Sequence, residues 1–206
     1  MTSISIIGTG KMGSAIADVA SRAHAHIQLL KRKAGVGATI ERDDVEYAVM
    51  GDELTGELVV IATPYAAIPD VLARYGDRLA GKVVIDISNP IEFVTFDGLT
   101  VPAHSSAAAE IAEAVPNAAV VKAFNINFAE TLTTGINGGM HTTVIVAGDD
   151  ADAKIAVMDL VEAAGMRAVD AGPLSRAREL EAMGFLQITL AALAKTRWES
   201  GFALMT

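Results

Sequence analysis

Cysteine is absent from the 206 residues of this chain. Its absence excludes disulfide bonds, thiolate metal sites and cysteine nucleophiles. We expect no secretory leader, because Met1 to Ser3 run into the strand-like residues 4–7 without a basic region. The longest apolar stretches, such as residues 183–194, are far below the ~20 residues of a membrane-spanning helix. We therefore expect a cytoplasmic protein that has no membrane partner.

Basic residues are scarce, since 16 lysines and arginines stand against 25 aspartates and glutamates and give a net charge of −9. A surface that binds nucleic acid is normally basic, so we expect no nucleic-acid partner. In so acidic a chain, a local cluster of basic residues is informative. The composition, with 51% hydrophobic and 20% charged residues, is that of a globular protein.

Strand-like and helix-like segments alternate along the chain. Apolar residues recur at helical spacing from Met12 to Ala23, between predicted strands at residues 3–7 and 27–30. Further strands are predicted at residues 45–50, 58–62, 83–87, 120–124 and 143–147 and before Pro173, and further helices from Pro64 and at residues 105–115, 150–165 and 175–194. This alternation predicts an α/β fold with a doubly wound, mostly parallel sheet and a C-terminal helical segment. We expect a domain at residues 1–172 and a helical segment at residues 173–206 that packs on it or on a second copy.

The strongest motif is a glycine-rich turn, Gly8-Thr9-Gly10-Lys11-Met12-Gly13, which fits G-x-G-x-x-G. It lies between the first strand and the first helix, which is the context that a Rossmann-type dinucleotide site requires. Gly8 permits the tight turn, Gly10 lets the backbone approach a pyrophosphate, and Gly13 lets the helix pack on the strand. The N–H groups of the first helical turn then hold the phosphates. The alternative is an ordinary turn, which this placement disfavours.

A basic cluster, Lys31-Arg32-Lys33, follows the second strand, and no acidic residue occurs from Ile27 to Ala38. Sites for NAD usually place Asp or Glu at this point to bind the ribose 2′-hydroxyl. A guanidinium can instead bind a 2′-phosphate through two hydrogen bonds, whereas a carboxylate would repel it. The cluster therefore favours NADP over NAD, and the alternative is a solvated run of charges.

Three further loops should meet at the carboxyl edge of the sheet, where such folds bind ligands. They comprise residues 62–65, 88–90 and 123–127, and in the first of them Thr63 is predicted to cap a helix that Pro64 opens. Asn and Thr side chains suit hydrogen bonds to a ribose and a carboxamide. Thr-Pro and Asn-Pro are also common at turns and helix starts. Contact with the cofactor and a role in the turn therefore both stay open for Tyr65, Asn89 and Asn125.

The glycine-rich turn, the basic cluster and these loops make up the predicted cofactor site. Its residues are Gly8, Thr9, Gly10, Lys11, Met12, Gly13, Lys31, Arg32, Lys33, Ala62, Thr63, Pro64, Tyr65, Asn89, Pro90, Ala123 and Asn125.

No side chain is predicted to act in catalysis or to bind a metal, because the chain has no Tyr-x-x-x-Lys pair and no histidine at a metal-ligand spacing. Asp86, inside an apolar strand, is expected to be buried and bonded to loop N–H groups. The lack of a proton donor fits hydride transfer to a second organic cofactor, in which the protein mainly aligns two rings.

Several motifs along the chain share a likeness to one family. They are residues 8–13, Thr63-Pro64-Tyr65, residues 86–90, Ser105-Ser106-Ala107-Ala108, residues 121–125, Gly148-Asp149-Asp150, residues 170–174 and residues 177–185. In these motifs the chain resembles the NADPH-dependent oxidoreductases related to the coenzyme F420 (8-hydroxy-5-deazaflavin) reductases, and it is similar to the bacterial branch known only as oxidoreductases. It also resembles the reductase domain of the membrane ferric reductases.

The resemblance implies hydride transfer between NADPH and a deazaflavin or a flavin stacked on the nicotinamide. The basic clamp that binds the 2′-phosphate in the family, often Ser-Arg, would fall on Lys31-Arg32. The archaeal deazaflavin enzymes carry a His-Thr-Ile-Pro-type segment where this chain has Phe124-Asn125-Ile126-Asn127. The resemblance therefore implies NADP more strongly than it implies F420.

Other readings of the sequence remain. A non-catalytic NADP-binding sensor fits the missing acid and base residues equally well. An imine reductase of the pyrroline-5-carboxylate reductase type has a similar glycine loop but needs a long helical C-terminal domain, which is expected to be missing after Gly172. The last helix is apolar nearly all round, with Phe185, Leu186 and Leu190 among its residues, and this predicts a homodimer interface or core burial.

Overall fold

The structure, a computed structural model, describes residues 2–32 and 42–204. Within these residues the strands are β1 (Ser3–Ile7), β2 (His26–Lys31), β3 (Val45–Val49), β4 (Leu58–Ile61), β5 (Val83–Asp86), β6 (Ala119–Lys122), β7 (Ile136–Asn137), β8 (Met140–His141), β9 (Thr143–Gly148) and β10 (Arg167–Gly172). The α-helices are α1 (Lys11–Arg22), α2 (Ile68–Tyr75), α3 (Ala107–Ala114), α4 (Ala129–Thr134), α5 (Ala151–Ala163) and α6 (Ala177–Ala192). Short 3₁₀ turns precede α2 and α6 and follow α2.

Eight strands form one sheet in the order β10-β9-β6-β5-β4-β1-β2-β3. From β3 to β6 all neighbours are parallel, and β9 pairs with β6 in the antiparallel sense. The six parallel strands therefore have the 3-2-1-4-5-6 order of a Rossmann-type fold, which confirms the predicted fold class. The strand order reverses between β1 and β4, and a ligand of this fold lies outside the carboxyl ends of the strands at that point.

Helices cover both faces of the sheet, which explains why its central strands are predominantly apolar. Successive residues of β1 face opposite layers, with Ile6 in the cluster that α1, α4 and α5 cover and Ile7 in the cluster that α2 and α3 cover. In β4, Val60 and Ile61 divide in the same way. The sheet is thus packed on both faces, and this packing fixes the position of its carboxyl edge.

Two details of the predicted helices were wrong or missing. Thr63 does not cap a helix: Pro64, with φ −55° and ψ 147°, is itself the cap of the 3₁₀ turn Tyr65–Ala67, and α2 begins only at Ile68. A second proline at the start of α2 supplies the helix-opening role instead. The short helix α4 and the β7–β8 hairpin, which follow β6, have no counterpart in the predicted elements.

The last helix, α6, crosses the carboxyl edge of the sheet. Near its start, Glu181 accepts hydrogen bonds from N–H groups at the beginning of α3, on one face. Further along, Ile188 lines a cavity together with Met12 of α1, on the other face. Helix α6 therefore covers part of the carboxyl edge of the sheet.

Leu186 and Leu193 at this end of the chain are 51% and 63% exposed. The homodimer, the division into domains at residue 172 and the cytoplasmic location stay predictions. None of the helices in the part of the chain that the structure describes is long and apolar enough to pass through a bilayer.

Arg22, in the last turn of α1, ties this helix to two others. Its guanidinium donates to the carbonyls of Leu132 at 2.6 Å and Thr133 at 2.7 Å in α4, and to that of Ala164 after α5 at 3.3 Å. A cation beside the last carbonyls of a helix also opposes the negative end of its dipole. Arg22 thus fixes α1 relative to α4, which supplies one wall of the cavity described below.

Replacing this guanidinium should destabilise the fold. We expect Arg22→Ala to lower the free energy of unfolding by about 1.5–3 kcal/mol, since hydrogen bonds from a charged group are lost. Urea unfolding measures the change, and Arg74→Ala, at an exposed arginine of α2, is the matched control. Equal stability of the two variants would contradict the role assigned to Arg22.

Candidate functional site

The glycine-rich turn lies at the reversal of the strand order. The N–H of Gly8 donates to the carbonyl of Leu30 at the end of β2, at 3.1 Å, and the N–H of Ala62 after β4 donates to the carbonyl of Ile7, at 2.9 Å. The turn is therefore held between the carboxyl ends of β2 and β4. It leads directly into α1, which begins at Lys11.

The three glycines of the turn are required for different reasons. A Cβ on Gly8 would lie 2.4 Å from the carbonyl oxygen of Ala62, and a Cβ on Gly13 would lie 2.0 Å from that of Gly8. Gly8 also has φ +123°, which favours glycine. A Cβ on Gly10 would meet no atom of the described residues within 4 Å. Packing thus accounts for Gly8 and Gly13, and the space beside Gly10 is open for a ligand.

The N-terminus of α1 is electrostatically open. Its cap is Gly10, so no side chain among residues 2–32 and 42–204 accepts from the first N–H groups, and the first turn contains no acidic residue. The unpaired N–H groups and the positive end of the helix dipole suit an anion such as a phosphate. Gly10 and Lys11 are exposed there, and Thr9 is half-buried.

The structure places two residues of the basic cluster beside the turn. Lys31 ends β2, and its Nζ lies 4.6 Å from the centre of the Tyr47 ring, in a cation–π contact. Arg32 follows and is exposed. Lys33, the third residue of the predicted cluster, lies outside the described residues.

The loop after β4 presents a hydroxyl and a phenol. Thr63 Oγ1 is buried and has no hydrogen-bond partner among the described residues. Tyr65 is turned toward α3, and its O–H donates to Glu110 Oε2 at 2.5 Å. Burial and, next, the hydrogen bond to the Glu110 carboxylate raise the pKa of Tyr65 to about 12. The phenol is therefore neutral at physiological pH and already has an acceptor for its proton.

Asn89 and Asn125 form an amide pair that bridges the ends of β5 and β6. Asn125 Nδ2 donates to Asn89 Oδ1 at 2.9 Å and to the carbonyl of Leu180 in α6 at 2.8 Å, while Asn89 Nδ2 donates to the carbonyl of Asn125 at 2.8 Å. Both N–H groups of Asn125 are therefore used, and its Oδ1 is buried and has no hydrogen-bond partner in the described ranges of the chain.

Buried oxygens without partners are concentrated at this edge. Within residues 2–32 and 42–204, five buried side-chain polar atoms have no hydrogen bond, and four of them follow three consecutive strands. They belong to Thr63 after β4, Ser88 after β5, and Asn125 and Asn127 after β6. Buried polar groups are rarely left unpaired in native proteins, so a row of them indicates a missing ligand or ordered water.

A cavity of about 670 Å³ lies along the same edge. It is lined by the start of α1, by the loops after β5 and β6, by α4 and by the chain after α6, and its walls include Lys11, Met12, Asn89, Phe128 and Trp198. The rings of Phe128 and Trp198 are in contact, with centres 4.9 Å apart. The cavity thus extends from the uncapped start of α1 to the aromatic pair of Phe128 and Trp198.

The remaining predicted residues support this edge from within. Pro90 is buried, and its carbonyl accepts from Thr100. Ala123 is buried, and its N–H donates to the carbonyl of Asp86 at 3.2 Å. Both residues belong to the framework behind the loops. Among the described residues, no group of three or more potential metal ligands occurs.

Sequence reasoning missed a buried ion cluster beneath the amide pair. Asp86 is buried and accepts from the N–H of Ser88 at 2.9 Å, as predicted. It also pairs with Lys122 at 2.7 Å, and Lys122 pairs with Glu181 of α6 at 2.7 Å. All three side chains are fully buried. Burial raises the pKa of Glu181, although the ion pair with Lys122 opposes that shift.

A signal for this cluster was present in the sequence. Asp86 and Lys122 are the charged residues at the ends of two otherwise apolar strands, and they are partners in the parallel register of β5 and β6. Two opposite charges at matching positions of neighbouring strands indicate a buried pair. The contribution of Glu181 depends on the path of α6, which the sequence pattern did not reveal.

Known proteins share parts of this sequence and this fold. The family described as coenzyme F420-dependent NADP oxidoreductase matches residues 3–90. The F420-dependent NADP reductase of Methanocaldococcus jannaschii is 29% identical over 139 residues, which cover 66% of this chain and 62% of that protein. The metalloreductase STEAP3 of Rattus norvegicus is 37% identical over 113 residues, which cover 54% of this chain and 22% of that protein. The chain thus matches less than two thirds of each of these relatives.

A crystal structure from Arthrobacter sp. fb24 matches over the full length of both chains. Its protein is assigned only provisionally as an F420-dependent NADP reductase, and it is 28% identical with a TM-score of 0.87. Residues 3–90, which carry the glycine-rich turn, thus match the F420-dependent NADP oxidoreductase family, and the chain as a whole is similar to proteins assigned to that family.

Proposed function

We propose that this protein binds NADP(H) along the carboxyl edge of β1, β4, β5 and β6 and transfers a hydride between it and a planar acceptor, a deazaflavin such as coenzyme F420 or a flavin. The observation that carries the proposal is the row of four buried oxygens that, within the part of the chain that the structure describes, have no hydrogen-bond partner and follow three consecutive strands. It begins beside a glycine-rich turn and ends in the 670 Å³ cavity, as an extended dinucleotide would.

The residues present fit the phosphate half of the cofactor. The open space at Gly10 and the uncapped start of α1 suit the diphosphate. Arg32, exposed at the end of β2, suits the 2′-phosphate, for which a guanidinium offers two parallel donors. Lys31 adds positive charge from its position over Tyr47.

The nicotinamide half meets a different set of groups. The Thr63 hydroxyl suits a hydrogen bond to a ribose hydroxyl. Asn125 Oδ1 can only accept a hydrogen bond, so it suits a ligand group that donates one, such as a carboxamide N–H. When bound, NADPH supplies the hydride. The protein then has to hold two flat rings in contact and exclude water from them.

The far part of the cavity fits the acceptor. Phe93, Phe128 and Trp198 contribute three aromatic side chains to its lining, which suits contact with a planar ring system. The phenol of Tyr65, in the loop after β4, is already bonded to Glu110. This arrangement favours a reaction that needs no protein acid. Two relatives, an F420-dependent NADP reductase and a metalloreductase, support the same class of chemistry.

The glycine-rich turn offers a test that separates binding from folding. We expect Gly10→Val to fold normally and to lose detectable binding of both NADP+ and NAD+, because its side chain enters open space that the diphosphate would need. Gly13→Val should instead fail to fold, since its Cβ would lie 2.0 Å from a carbonyl oxygen. Circular dichroism and calorimetric titration measure the two properties. Normal coenzyme binding by folded Gly10→Val would remove the diphosphate assignment.

Arg32 tests the choice between the two coenzymes. We expect Arg32→Ala to weaken NADP+ binding by about 1.5–3 kcal/mol, through loss of a charge-assisted bond. Binding of NAD+, which has no 2′-phosphate, should stay within about twofold, a difference of ~0.4 kcal/mol. Arg74→Ala serves as the control for loss of an exposed arginine. An equal loss for both coenzymes would show that Arg32 does not contact the 2′-phosphate.

Turnover tests the proposed reaction itself. We expect the purified protein to oxidise NADPH in the presence of F420, FMN or FAD, followed by the absorbance of NADPH, and to leave simple carbonyl compounds and cyclic imines unreduced. Reduction of an imine with none of the flavin-like acceptors would assign the site to imine reduction. Tight NADPH binding without turnover on any acceptor would instead favour a non-catalytic sensor.

A further inference from the structure

The ion cluster of Lys122, Asp86 and Glu181 is costly for a fold to keep. Its three charged side chains are fully buried, and buried ion pairs are often no better for stability than apolar side chains of similar size. The cluster contains two carboxylates and one ammonium. A purely structural role leaves its presence under the functional edge unexplained.

The ammonium of Lys122 is saturated. It donates to Asp86 Oδ2 at 2.7 Å, to Glu181 Oε1 at 2.7 Å and to the backbone carbonyl of Ser88 at 2.6 Å. Three donors thus meet three acceptors, which come from β5, from α6 and from the loop after β5. Ser88 immediately precedes Asn89, so the ammonium fixes the backbone from which the amide pair begins.

The same turn of α6 holds both the cluster and the amide pair. Leu180, beside Glu181, accepts from Asn125 Nδ2 at 2.8 Å. Gly184, one turn further on, lies directly against Asn89: a Cβ at Gly184 would be 2.3 Å from Asn89 Oδ1, and the three atoms nearest to it all belong to the Asn89 amide. The position of α6 therefore sets the position of both amides.

The network also fixes which way the Asn125 amide faces. Its Nδ2 lies within hydrogen-bond distance of two oxygens, Asn89 Oδ1 and the Leu180 carbonyl. A rotated amide would place its oxygen against those two acceptors, so the free group must be the oxygen. Asn125 consequently presents one preoriented acceptor, and both of its N–H groups are already used.

We propose that Lys122 is a positioning residue, which through Ser88 and Glu181 fixes the Asn89–Asn125 pair so that Asn125 Oδ1 accepts a hydrogen bond from the nicotinamide carboxamide. This inference rests on the proposed binding of NADP(H) and assigns the amide pair to the nicotinamide half alone. The adenine half, at the glycine-rich turn and Arg32, does not depend on Lys122.

The test compares two ligands on each protein by calorimetry. NADP+ contains both halves, and adenosine 2′,5′-bisphosphate contains the adenine half with its 2′-phosphate. For Lys122→Met we expect NADP+ to bind at least tenfold more weakly and adenosine 2′,5′-bisphosphate to bind within twofold of the wild type. Lys154→Met, which removes a lysine that pairs with Asp170 away from the cavity, should change neither affinity.

Two further variants keep the test decisive. Glu181→Ala leaves Lys122 balanced by Asp86 and releases α6 from Lys122 and from the start of α3, so it decides the question if Lys122→Met does not fold. Gly184→Ala displaces Asn89 directly and leaves the ion cluster intact, and alanine suits a helix better than glycine. We expect both to show the same selective loss of NADP+ affinity.

The contrary results are distinct. Unchanged NADP+ affinity in the folded variants, or an equal loss for both ligands, overturns the positioning role, because a merely structural defect would not separate the two halves. A wild-type protein that binds neither ligand overturns the proposed function itself. A wild type that binds both, with variants that bind both equally well, overturns only the inference about Lys122.

Discussion

The close packing of the glycine-rich turn is the constraint on which the rest of this structure depends. With Gly13 against the carbonyl of Gly8, and Gly8 against that of Ala62, no side chain can separate α1 from β1 and β4. The helix therefore begins at the reversal of the strand order, with its unpaired N–H groups at the carboxyl edge. Every other feature of the site is positioned relative to that helix end.

The part of the site around β5 and β6 is held by different interactions. Around β1 and β4 the edge is shaped by backbone packing, whereas around β5 and β6 it is shaped by buried charge and amide hydrogen bonds. Such bonds have direction, so they can fix the orientation of an amide, which apolar packing cannot do. This division fits a ligand whose phosphate half needs space and charge and whose other half needs a defined ring orientation.

Much of this architecture could be predicted from the sequence because it rests on local patterns. Apolar strands, helical periodicity and the glycine spacing predict the parallel sheet and the turn, and the structure confirms them. The cap at Thr63 was wrong because a Thr-Pro pair suits an extended turn as well as a helix start. In this fold the Thr63 hydroxyl lies at the site and has no hydrogen-bond partner among the described residues.

What the sequence could not predict depends on long-range placement. The pairing of Lys122 with Glu181 joins residues 59 positions apart, and it requires α6 to cross the edge of the sheet. The amide pair and the aromatic contact between Phe128 and Trp198 likewise join segments that only the fold brings together. Periodicity reports which face of an element is buried, but it does not report what covers that face.

A crystal structure of the protein grown with NADP+ is the decisive test of coenzyme binding along the carboxyl edge of the sheet. We expect the diphosphate within about 2.7–3.2 Å of the first N–H groups of α1, the 2′-phosphate on Arg32 and the nicotinamide beside Asn125. Density for the coenzyme elsewhere on the protein, or an edge that still holds only water at saturating NADP+, would contradict it.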